Sequence, residues 1–185
     1  MLGRLILLLL LMPVAVQAEP WTLDPETEVT VMVPWHGSSV AVHFPTLSGR
    51  IDFDEARPEQ AKAAISVATR DAATGVAVVD QLVRSRDYLD AAAYPTIAFQ
   101  LDRLTQTSKS TADVAGRITL RGVTRPVDFA ARVTRYGPAA DDPSRFEAGF
   151  ELDGRIDRTE FGSTGGLPDV AAVLPVHISL YMSSR

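Results

Sequence analysis

VVDQLVRSRDYLDAAAYPTIAF, residues 78–99, is the stretch whose reading decides the fold. It alone carries helical periodicity, while the chain on either side alternates as strands do. Val79, Leu82, Val83 and Arg86 recur at i, i+3, i+4 and i+7, and the first three form an apolar stripe directed at a sheet. Tyr94-Pro95 stops the helical stretch, because a proline pushes the residue before it out of the α region, and Thr96–Leu101 at once alternates as a strand. The spacing predicts a helical lid inserted in an all-β chain.

Outward from that insert, strands follow one another. Val29, Val31 and Val33 share a face, as do Val40, Val42 and Phe44, and Ile51 and Phe53 resume in the opposite phase. The change of phase predicts a bend or bulge between Pro45 and Gly49, the device by which small barrels turn corners. Ile65 with Val67, then Ile97, Phe99 and Leu101, then Ile118 and Leu120 give three more one-faced strands. Val127–Val133, Phe146–Leu152 and Val176–Met182 complete the set. Neither tryptophan is expected mid-strand on an inward face. Eight antiparallel strands with one dry face close most simply into a barrel, since an open sheet would leave two edges unpaired.

The 185 residues are 46% hydrophobic and 22% charged, the profile of one globular domain. A net charge of −5 with scattered lysines and arginines offers no footprint for a phosphate backbone, which excludes nucleic acid. Met1–Ala18 has the form of a signal peptide: Arg4, an apolar run from Leu5 to Met12, and small residues before a cut. The run is shorter than the ~20 residues that span a bilayer, so no stable membrane insertion is expected. Residues 19–185 would then form the mature domain, periplasmic or secreted. Cysteine is absent, which rules out disulfides and thiol chemistry and leaves stability to burial.

Five segments in order carry a family resemblance: Trp21-Thr22-Leu23-Asp24-Pro25, Gly49–Asp54, Leu82–Asp90 running on to Tyr94–Phe99, Gly116–Val127, and Asp157-Arg158-Thr159-Glu160-Phe161-Gly162. The chain resembles the YceI-like family of bacterial periplasmic proteins. The resemblance implies a lipocalin-like barrel that binds a polyisoprenoid lipid. Where that family commonly has an asparagine after Thr-Gly, and Arg-Asp before the helix leucine, this chain has Val76 and Val79-Asp80, which makes its lid more apolar.

Eight strands is the size at which an interior is either filled by side chains or hollow enough for one small ligand. Inward parity and lid position single out Val31, Val42, Phe44, Phe53, Val67, Val79, Leu82, Tyr88, Phe99, Ile118, Phe129, Phe150 and Ile178 as candidate ligand-binding residues. With the resemblance they imply a polyisoprenoid or quinone-like lipid held without covalent attachment, no other cofactor and no catalytic role. The alternatives are an enzyme acting on a hydrophobic substrate inside the barrel, and a packed envelope interaction module. A homodimer stays open. His43 and His177 fall on outward faces and His36 in a turn, so a zinc site is not expected. Asp87 and Asp90 read as turn groups, and Arg117, Arg121 and Arg125 as a solvated face rather than an anion-binding rim.

Overall fold

The computed structural model describes residues 20–184; the expected signal peptide lies outside them. Among the described residues there are ten strands: β1 Pro20–Leu23, β2 Glu28–Trp35, β3 Ser38–Phe44, β4 Leu47–Asp52, β5 Lys62–Ala68, β6 Thr96–Gln106, β7 Thr111–Leu120, β8 Val123–Pro138, β9 Phe146–Asp157 and β10 Val173–Ser183. They occupy eight positions around a closed antiparallel barrel. β1 and β2 lie end to end on one edge of β10, with Thr22 opposite Ser183 and Val31 opposite Val176. β3 and β4 lie end to end on the other side of that pair, with Val42 opposite Val31 and Ile51 opposite Trp21. From β4 to β10 each strand pairs with the next, and β1, paired with both β4 and β10, closes the ring at that end, while β3 keeps an outer edge.

The break between β3 and β4 falls at Pro45-Thr46, and there the inward set switches from Val40, Val42 and Phe44 to Leu47 and Ile51. The change of phase in the sequence is this corner. β6 makes a similar switch at a bulge between Leu101 and Arg103, which brings Leu104 inward. Two hairpins use two-residue turns with both residues at positive φ, His36-Gly37 (48° and 77°) and Arg121-Gly122 (51° and 74°), the geometry that matches strand twist.

The helical insert differs from its expected extent. Helix α1 runs Ala77–Arg84 and ends ten residues before Tyr94-Pro95. Ser85 is extended, and the guanidinium of Arg121 donates to the carbonyls of Arg86 and Tyr88 at 2.6 and 2.9 Å, holding the following residues as turns. Arg86 therefore lies beyond the helix. The insert fills a gap in the wall: β5 pairs with β4 and not with β3, whose upper part is met only by the His43–Ala73 bridge. Asp80 accepts from Thr74 N and Oγ1 at 2.6 and 2.7 Å, and Arg84 donates to the Ala72 carbonyl, tying the helix to that bridge.

Trp21 is 7% exposed in β1 and packs with Ile51, Ala148 and Met182, contrary to the expectation that neither tryptophan faces inward mid-strand. Its indole donates to the Phe53 carbonyl at 2.9 Å, and its ring meets those of Phe53 and Tyr136. β1 is four residues long, too short for its alternation to be read. These side chains form a floor at the end of the barrel opposite the lid.

Candidate functional site

The barrel is hollow. A cavity of about 550 Å³ runs along its axis, inside the ~300–1,000 Å³ range of small-molecule sites. Its wall is valine, isoleucine, leucine and phenylalanine from β2 through β10, with Val79, Leu82 and Val83 of α1 above. Mid-strand inward side chains such as Val31, Phe99, Phe150 and Ile178 are only half-buried, which in a filled barrel they would not be. All thirteen candidate residues line this one space: Val31, Val42, Phe44, Phe53, Val67, Val79, Leu82, Tyr88, Phe99, Ile118, Phe129, Phe150 and Ile178.

Strand pairing explains why six-membered rings do not fill the lumen. Gly154 sits opposite Phe129 across β8 and β9, and a Cβ built on it would lie 2.5 Å from that ring. Gly116, opposite Leu101 and so diagonal to Phe99 across β6 and β7, leaves room in the same way, a Cβ there falling 2.5 Å from the Phe99 ring. Each phenylalanine thus lies over a glycine on the wall, and the two rings meet edge to face at 6.1 Å. Aromatic bulk is laid along the barrel instead of across it.

The lid end carries a group that sequence reasoning did not find. Arg158, 4% exposed, lines the cavity beside Tyr88, with its guanidinium carbon 5.7 Å from the ring centroid. Among the described residues it has no carboxylate partner; its Nε and both Nη atoms donate to the carbonyls of Ala171, Ser163, Gly165 and Val170 at 2.8–2.9 Å. Burial pulls its guanidinium below the usual arginine value. The residue clamps the loop between the Arg158–Phe161 turn and β10, and that loop in turn clasps the lid through Gly165 N to the Asp87 carbonyl. The Asp157-Arg158 motif marks the position in the sequence, but its burial depends on contacts with Ala171 and Tyr88 that no local pattern announces.

The polar candidates lie outside the lumen. His177 reaches Glu151 and Asp153, each at 2.8 Å, on the outer face, and His43 bonds Thr30 and Glu28. Among the described residues no three histidines or carboxylates converge as metal ligands. Arg117 pairs with Asp102 at 2.9 Å, Arg125 with the Thr124 carbonyl, and Arg121 with the lid, so these arginines are occupied structurally. Among the described residues no helix is long and apolar enough to cross a membrane.

With this geometry in hand, the likeness to known proteins is informative. A family model described as the YceI-like domain matches residues 21–182. A UPF0312 protein of Pseudomonas fluorescens Pf-5 is 36% identical over 141 residues, 74% of this chain and 70% of its own length. A UPF0312 protein of Azotobacter vinelandii is 34% identical over 119 residues, 64% of this chain and 61% of its own length. Among solved structures, BcnA of Burkholderia cenocepacia superposes with a TM-score of 0.75 at 20% identity, covering 88% of this chain and 99% of its own. A polyisoprenoid binding domain from Saccharophagus degradans, implicated in plant cell wall breakdown, superposes at 0.67 with 17% identity, covering 91% and 99%. At such identities the structures share a fold with this chain, and the match over residues 21–182 gives its lineage: the chain belongs to the YceI-like domain family.

Proposed function

We propose that this protein is a lipid-binding barrel whose ligand is a polyisoprenoid or quinone-like chain, held non-covalently and carried or buffered in the aqueous envelope. The observation that carries the reading is the hollow, hydrocarbon-walled lumen, in which mid-strand inward residues lack the neighbours that would bury them. An empty apolar surface of this kind gains from burial of a tail at about 0.8 kcal/mol per CH₂ removed from water. Retention needs no hydrogen bond to the tail. The polyisoprenoid binding domain with which the chain shares its fold supports this class of ligand. The basic n-region, apolar run and small residues of Met1–Ala18 support export, with the mature chain beginning at Glu19.

The one charged side chain buried against the lumen among the described residues, Arg158, gives its donors to backbone carbonyls, which favours binding over catalysis. A titration tests the reading. Delipidated protein is mixed with a fluorescent apolar probe, which is then displaced by prenyl alcohols and quinones of increasing tail length. Affinity is expected to rise with each isoprene unit until the lumen is full and then to level off. Affinity independent of tail length, or absent, overturns the proposal.

A further inference from the structure

We propose that the lid end of the barrel docks on the surface of a lipid bilayer, so that a tail passes between membrane and lumen without crossing water. The inference rests on the reading of the lumen as a lipid site and names the partner that site would face. Five exposed lining residues mark where the cavity reaches solvent, and Trp35, Leu82, Gly166 and Asp169 lie at the lid end, with Lys62 alone at the other. Trp35 and Leu82 are therefore wall and outer surface at once, 50% and 51% exposed. The same end of the molecule exposes further large apolar groups: Val76 at the N-cap of α1, Val78 in its first turn, and Leu167 on the loop that Arg158 clamps, with Val78 71% exposed.

The patch is too small for a stable protein partner. With about 150–250 Å² for a fully exposed aromatic side chain and less for valine or leucine, the five roughly half-exposed groups offer at most on the order of 500 Å², short of the ~800 Å² per partner of a specific interface. For a bilayer it suffices, because the apolar groups insert individually and an indole favours the interface. The charges beside the patch, Arg84, Arg86, Asp80, Asp87 and Asp169, are of both signs, and the Arg84 guanidinium is bound to the Ala72 carbonyl. Among the described residues no basic cluster stands beside the patch to select anionic headgroups, so docking is driven by apolar insertion and is insensitive to salt.

The test is flotation of the full mature protein with zwitterionic phosphatidylcholine vesicles. The comparison is a Val76→Asp/Val78→Asp/Leu167→Asp variant, whose changes fall outside the lumen wall; the first two place carboxylates at the start of α1, where they favour the helix, and the third lies on the exposed loop. The variant is expected to lose vesicle partitioning at least tenfold while binding an apolar lumen probe as the natural protein does. In the natural protein, vesicles with brominated acyl chains should quench part of the tryptophan emission, from Trp35 and not from floor residue Trp21, and this readout stands even if the variant fails to fold. Partitioning unchanged in the variant, absence of quenching, or a stable dimer with no vesicle binding overturns the docking surface. Partitioning that follows the variant while no apolar probe enters the lumen keeps the docking surface and removes the lipid-carrier reading.

Discussion

Replacing Ile178 with tryptophan separates a hollow barrel from a packed one in a single variant. Ile178 lies mid-way along β10, opposite Leu152 on one side and Val29 on the other, and its half-buried side chain faces the lumen. The substitution adds about six heavy atoms, and if each displaced one tail CH₂ at about 0.8 kcal/mol the loss for a long tail would reach ~5 kcal/mol. The indole presents apolar surface of its own and can lie along the wall, so about 2–3 kcal/mol is expected, roughly a 30- to 150-fold loss of affinity. Tails too short to reach the middle of the barrel should bind as before. Thermal unfolding gives the second readout. In a filled core this overpacking would cost about 1–3 kcal/mol, and each kcal/mol lowers Tm by ~2–4 °C in a domain of this size. A hollow lumen accepts the ring with Tm unchanged. A lower Tm together with an unaltered tail-length profile would refute the reasoning.

Other predictions concern what keeps the lumen open and the lid seated. Arg158→Lys cannot reach four carbonyls and leaves buried acceptors unpaired at about 1–3 kcal/mol each; calorimetry should show a Tm lower by ~5–15 °C, with faster amide exchange at Gly162–Val170. Gly154→Ala puts a methyl group into the Phe129 ring, costing about 1–3 kcal/mol and turning the ring into the lumen, so the longest tail bound should shorten. The carboxyl of Asp80 is held below the usual aspartate value, first by the Thr74 hydroxyl and then by the Thr74 amide. A lowered folded value means its contribution is complete above the unfolded value of ~3.9 and fades as pH falls below it. Exchange of the Thr74 amide should accelerate only in that acid range, and Asp80→Asn should reproduce the faster exchange at neutral pH.

The sequence makes the wall legible because strand parity is a local property. Val31, Phe99 and Ile178 each sit in a run whose alternation alone fixes the inward face. The corner at Pro45-Thr46 is legible for the same reason, as a change of phase. The lid end is less so. α1 stops at Arg84 because Ser85 turns extended and Arg121, thirty-five residues from Arg86, takes up the carbonyls that follow, and no window of sequence contains both partners. The floor is hidden by the brevity of β1, and the buried Arg158 by the distance between it and Ala171. That the barrel is hollow depends on Phe129 lying over Gly154 and Phe99 over Gly116, a relation created by cross-strand register and invisible until the strands are paired.

Native mass spectrometry of the mature protein, purified without detergent from cells whose membranes contain isoprenoid lipids, tests the lumen's purpose most directly. The account predicts a bound mass matching a single polyisoprenoid or isoprenoid quinone, released on gas-phase activation and depleted in the Ile178→Trp variant. Protein that carries no lipid, and takes none up when incubated with polyprenyl alcohols, would contradict it.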